Sequence, residues 1–144
     1  MGTQQILLIV LSVIIVGAAI AVGITMFNNQ SYTSNKAAIA ADAQNFATQV
    51  VQYYKTPASQ GGADKTMANM TDAKIGDFIG WQGTTTTNEN GTFTIGIEVA
   101  TSDTLVTITG KGKEVKGGKV PQIETKVKFP DGKITATASD VTAP

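Results

Sequence analysis

The chain has 144 residues with eleven lysines, eleven acidic residues, no cysteine and no histidine. That length holds one domain of ordinary size plus an appendage, and the missing residue types exclude disulfides, thiol nucleophiles, thiolate or imidazole metal ligands and the usual general base near neutral pH. The formal net charge of zero hides a division, because residues 1–35 carry no charge and residues 36–144 carry all of it.

The apolar run Ile6 to Phe27 comes first, twenty-two residues broken only by Ser12, Gly17, Gly23 and Thr25 among small or apolar neighbours. As a helix it spans about 33 Å, enough for a bilayer core of about 30 Å. Fourteen of these residues are Leu, Ile, Val or Phe, so a few kcal/mol favour insertion, at roughly 0.3 to 0.6 kcal/mol each at the bilayer centre. Four readings compete. A cleaved secretory signal has a small-x-small site at Ala19-Ile20-Ala21, but the apolar run continues past it and no basic region precedes it. A buried core helix of a soluble domain needs more apolar surface around it than the threonine-rich remainder supplies. A permanent membrane anchor normally carries flanking lysine or arginine, and the first charge here is Lys36. In the fourth reading identical helices from many copies bury one another in a fibre core. There no flanking charge is needed, and Gly17, Ala18, Ala19, Ala21 and Gly23 let backbones approach closely.

Asn28 to Lys36, NNQSYTSNK, is a poor helix former and reads as either a bend or a solvated helical turn. Ile39, Ala43, Phe46, Val50 and Tyr53 then recur at helical spacing, with Asp42, Gln44, Asn45 and Gln49 away from that face. The face is predicted to pack the helix on a sheet. Pro57 and Gly61-Gly62 end the helix. Residues 63–90 follow neither period, and KIGDFIGW, with Ile75, Phe78, Ile79 and Trp81, is predicted to cover the core as a loop or short helix.

From Gly91 the period becomes two. Phe93, Ile95, Ile97 and Val99 share one face; Thr101-Ser102-Asp103 turns; Val106 and Ile108 point inward; a lysine- and glycine-rich hairpin region follows. Ile123, Val127 and Phe129 then point inward, PDGK turns, and ITATA completes the set. The expected fold is α+β, a long N-terminal helix with an apolar first half and an amphipathic second half packed on a four-stranded antiparallel sheet. The expected organisation is an apolar helix over 1–27, a polar joint and amphipathic stalk over 28–56, and a β-rich head over 57–144.

Charge is uneven within the polar part: residues 36–110 hold four lysines against seven acids, residues 111–133 seven against three. Ordinary solvated surface is the plain reading, and docking of neighbouring copies the sharper one. No basic stretch is interleaved with aromatics, so nucleic acid is not an expected partner. No phosphate loop, dinucleotide fingerprint or acid–base cluster is present, so no enzyme activity and no cofactor is expected, and no loop has calcium-ligand spacing. Asn29, Asn69 and Asn90 head N-glycosylation triplets, and Thr84 to Thr87, Thr84 and Thr85 among them, are candidates for O-linked sugar.

The opening MGTQQILLIVLSVIIVGAAIAVGI, the amphipathic continuation and the strand-rich C-terminal part together resemble a type IV pilin or pilin-like subunit. The resemblance implies a homo-oligomeric helical filament on the cell surface, inserted in the inner membrane before an ATP-driven pilus assembly machine moves it into the fibre. Precursors of that family carry a basic leader removed by a prepilin-type peptidase; if Met1 is the processed terminus, the missing charge was on the leader, and if Met1 is the initiator, the missing charge has no such account. The expected filament core is Ile6, Leu7, Ile9, Val10, Val13, Ile14, Gly17, Ala18, Ala21, Gly23, Ile24 and Phe27. Bacterial members usually carry glutamate at the fifth mature position, where this chain has Gln5, which accepts a hydrogen bond without burying a charge. The apolar run also lacks the proline many of them carry. With only Gly17 and Gly23 lowering helix propensity, by about 1 kcal/mol each, a continuous or slightly loosened helix is expected. In carrying Gln5 the chain resembles archaeal-type pilins more closely than the common bacterial pattern.

Overall fold

Residues 2–55 contain no proline and form one uninterrupted helix, α1 (Gly2–Lys55), about 81 Å long at 1.5 Å per residue. The computed structural model describes residues 2–100 and 102–144; Met1, the candidate processed terminus, and Thr101, part of an expected turn, lie outside the described residues. The polar segment Asn28 to Lys36 is neither a bend nor a break. Its low intrinsic propensity is overridden by contacts made further along the chain: the Tyr32 hydroxyl donates to Asp140 and the Asn35 amide donates to Asn90 O.

One stripe of α1 faces the sheet. Tyr32, Ile39, Ala43, Ala47, Val50 and Tyr54 lie along it and all are buried. Tyr53 is buried on one flank, and Phe46, half-buried there, meets Trp81 edge-on at 4.9 Å and Phe93 at 5.2 Å. Asp42 shares this flank rather than turning to solvent as its spacing suggests, because the side-chain amides of Asn88 and Asn90 meet it there. The helix stops before Pro57, and the chain folds back so that Ala63 N donates to Tyr53 O and Lys65 N to Tyr54 O, satisfying two of the last helical carbonyls. A short helix, α2 (Asp72–Phe78), capped by the Thr71 hydroxyl, follows and buries Ile75. Trp81 just beyond it is buried as well.

Five strands form the sheet in the order β1 (Thr85–Thr87), β2 (Gly91–Val99), β3 (Thr104–Gly112), β4 (Lys119–Phe129) and β5 (Lys133–Thr142), with every neighbouring pair antiparallel. The pattern of apolar alternation predicts only four strands. The fifth, β1, consists of threonines only and carries no alternation, so its pairing is visible only in three dimensions, through the register Thr85↔Thr94 and Thr87↔Thr92.

Phe93, Ile95, Val106, Ile108, Ile123, Val127 and Phe129 are buried under α1. The expected inner face of β2 fades toward its end, Ile97 being half-buried and Val99 68% exposed. The reason is cover: α1 lies chiefly on β3 and β4, and the end of β2 runs out from under it. For the same reason β5 is exposed along almost its whole length. Gly110 allows the Phe93 ring to lie against the β3 backbone, where any Cβ would press on it. Thr104 and Thr125 occupy inner-face positions, and their hydroxyls are buried with no protein partner.

Truncating Ile39 to Ala removes a side chain with no exposed surface and is expected to lower unfolding stability by about 2 to 5 kcal/mol. Thr125→Val, which replaces an unpartnered buried hydroxyl by a methyl group, is expected to be neutral or stabilising by about 1 kcal/mol. Chemical denaturation of the two variants checks both signs.

Candidate assembly and membrane-contact surface

Residues 2–30 of α1 are exposed at every position, and none is charged. The large side chains from Ile6 to Phe27 are 50% to 71% exposed, Val10 and Phe27 marking the limits. Leu7, Ile9, Val13, Ile14 and Ile24 fall within this range, distributed around the helix rather than along one stripe. The polar groups of the run are satisfied internally, Ser12 Oγ donating to Ile9 O at 2.7 Å and Thr25 Oγ1 to Ala21 O at 3.0 Å. This is the chemistry of a rod built for a dry environment: every backbone group is in the helix and no side chain requires water. A methyl group added at Gly17 or Gly23 would meet nothing within 4 Å, so nothing in the chain's own fold requires them to be glycine. With Ala21 and Ala19 they form two small-residue pairs four apart, Gly17 with Ala21 and Ala19 with Gly23, while Ala18 adds a further small side chain. Gln5 is exposed near the rod's start. The rod is long and apolar enough to cross a membrane, a property it shares with signal sequences.

Where the rod enters the head, two polar clusters fix the junction. On one flank the Asp42 carboxylate accepts from the side-chain amides of Asn88 at 2.9 Å and Asn90 at 2.8 Å, while Asn88 Oδ1 accepts from the backbone of Asn90 and Gly91. Asn35 spans two loops, its Nδ2 donating to Asn90 O at 2.7 Å and its Oδ1 accepting from Lys113 N at 3.1 Å. Gly112 permits this approach, since a Cβ there would collide with Asn35 Oδ1 and Pro121. On the other flank Asp140, from β5, accepts from the Tyr32 hydroxyl at 2.8 Å and from Lys36 Nζ at 3.1 Å, and Lys116 Nζ stands 5.9 Å from the centre of the Tyr32 ring.

Hydrogen bonds from Tyr32 and Lys36 hold the exposed Asp140 carboxyl below the ordinary carboxylate range. Burial, then the hydrogen bond and charge of Asp140, push the Tyr32 phenol up to about 12. The lowered carboxyl contributes stability that is present above its unfolded value of 3.8 and lost as the pH falls through the folded value. The raised phenol contributes stability that is present below 10.0 and lost as the pH rises from there through about 12.

None of Tyr32, Asn35, Lys36, Asp42 and Asp140 stands out in the sequence as a site residue. Tyr32 has a weak signal, lying seven residues before Ile39 and so on the same stripe. The glycosylation candidates are scattered. Asn29 is exposed on α1, Asn69 Nδ2 donates to Ala63 O at 3.3 Å, and Asn90 Nδ2, the atom that would carry a sugar, is engaged with Asp42. Thr84 is half-buried, and Thr85 is exposed with its hydroxyl 3.5 Å from that of Thr94. Among the described residues no group of three or more acids could hold a metal ion. At the far end of the head a cleft of about 530 Å³ is lined by Tyr53, Asn69, Lys74, Asp77 and Phe78.

The chain matches no protein-family model, no curated protein and no solved structure. What stands is the architecture: a long apolar N-terminal helix packed through its second half on an antiparallel sheet, which is pilin-like in outline.

Asp140→Asn removes the acid-sensitive link between α1 and β5. Thermal midpoints recorded from neutral pH down to about pH 3 are expected to fall less steeply in this variant than in the parent chain, and parallel curves would remove Asp140 from the account.

Proposed function

We propose that the chain is a structural subunit of an extracellular filament of the type IV pilus kind, in which copies polymerise by burying residues 6–27 against one another. The observation that carries this reading is the rod: it is apolar on all sides, free of charge and uncovered by its own head. A helix of this kind is stable only when surrounded, by lipid or by its like. Its rigid continuation into the stalk holds the head to one side of the apolar half, an arrangement suited to a fibre with rods inside and sheets outside. Before assembly the rod occupies the inner membrane, a prepilin-type peptidase removes any leader, and an ATP-driven machine supplies the work of transfer. Adhesion, motility and surface attachment are the roles such a fibre serves.

A second reading is favoured by the length of the rod, which matches one bilayer crossing: a single-pass anchored exported domain, or a pseudopilin of a secretion system. Electron microscopy of cell-surface preparations separates the two. Uniform fibres containing this chain support the filament, whereas detergent-extracted monomers alone support the anchor. Val13→Lys or Ala18→Lys places a charge that costs roughly 2.5 to 3.5 kcal/mol in a lipid-like interior. Either variant is expected to abolish fibres while leaving the head folded by circular dichroism, and unchanged fibres would contradict the reading.

A further inference from the structure

The fold brings several lysines to the part of α1 that follows the apolar run, at Tyr32 and Asn35. The hairpin joining β3 to β4 carries Lys111, Lys113, Lys116 and Lys119, with Glu114 as its one acid, and all five side chains are exposed. The fold brings this hairpin back to the point where α1 leaves the head. Lys113 N is bound to Asn35, and Lys116 Nζ lies over the Tyr32 ring, so the hairpin advances toward the rod as it approaches its tip. Tyr32 is five residues beyond Phe27, about 8 Å along the axis. A bilayer about 40 to 45 Å thick with a core of about 30 Å leaves roughly 5 to 8 Å of headgroup on each side. With the apolar run filling the core, Lys116 and the tyrosine ring stand at headgroup depth, where amphipathic rings and lysines are favoured.

Val115, next to the tip, is 57% exposed and has no role in the core. An exposed apolar residue between Lys113 and Lys116, with Glu114 the one acid beside it, suits an interface between water and lipid. The other charges at this end of the head are Glu89, Asp42, Asp140 and Lys36, so five lysines face four acids, with Lys36 and Asp140 paired. The end facing the rod is therefore net positive.

We propose that the β3–β4 hairpin is a membrane-contact element that rests on anionic lipid headgroups while α1 spans a bilayer. The proposal rests on the reading that the rod enters a bilayer and is independent of whether fibres form. It does not conflict with the rule that positive loops stay inside, since that rule counts lysines within about 15 to 20 residues of the span, and Lys111 is far outside that window. The contact exists only once the head has folded.

The chain has no cysteine of its own, so Val115→Cys can carry a single fluorophore. The labelled full chain is placed in vesicles of phosphatidylcholine alone or mixed with phosphatidylglycerol, each doped with a lipid bearing a headgroup quencher. Quenching is expected to be about twofold stronger with phosphatidylglycerol and to fall to the phosphatidylcholine level at high salt, where charges are screened over a few ångströms. It is also expected to fall when Lys111, Lys113, Lys116 and Lys119 are replaced by Gln. The lipid and salt comparisons need no lysine substitution, so they stand even if that variant is unstable. Equal quenching in the two lipids overturns the proposal. Quenching that survives both salt and the glutamines also overturns it, by assigning the contact to the apolar tip. A chain that carbonate strips from vesicles of either composition overturns the bilayer reading beneath it.

Discussion

Residues 2–30 present an uncharged, predominantly apolar helix to all sides, and the head has nothing left to cover it. The apolar stripe of α1 from Tyr32 onward is already committed to the sheet, and the exposed ends of β2 and β5 show that even the sheet exceeds what α1 can shelter. The hydrophobic effect scales with the apolar area removed from water, so an uncovered rod of this length cannot persist as a solitary species in water. Some surrounding medium is therefore part of the structure. The remaining features are consequences: the internal bonding of Ser12 and Thr25, the absence of charge before Lys36, and the clusters that fix the angle at which the rod enters the head.

Those clusters matter because a rod is useful in an assembly only if the head holds a constant position on it. Apolar packing along Ile39, Ala43, Ala47 and Val50 supplies adhesion between helix and sheet but tolerates sliding. The directional bonds of Asn35, Asp42 and Tyr32 do not. Together they tie the helix to the turn between β1 and β2, to the β3–β4 hairpin and to β5, so that moving α1 by one turn would leave several half-buried polar groups without partners. Packing holds the layers together, and these bonds select one alignment.

Much of this is legible in the sequence, because the two halves of α1 announce themselves differently. The first is uniformly apolar, and the second repeats Ile39, Ala43, Val50 at helical spacing. The strands β2 to β4 show clean alternation where they lie under α1. What escapes is whatever depends on a distant partner. The continuity of the helix through Asn28 to Lys36 opposes local propensity and is sustained by residues on β5 and in the β3–β4 hairpin. Strand β1, all threonine, has no alternation to read and is defined by its register with β2. Asp42 has the composition of a solvated position and is a structural one because two asparagines, 46 and 48 residues later, converge on it. The lysines of the hairpin read as solvated surface or a docking patch for neighbouring copies, and only the fold brings them to Tyr32 and Asn35, just past the apolar run.

The central claim is that sibling copies supply the cover for this rod. A spin label at Val13→Cys in native cell-surface material tests it most directly, since the position lies inside the apolar run, about a third of the way along it, and the chain has no other thiol. Packed rods predict strong dipolar broadening between labels, diminished when labelled chains are diluted with unlabelled ones. A sharp, dilution-independent spectrum of a label in fluid lipid would contradict the account.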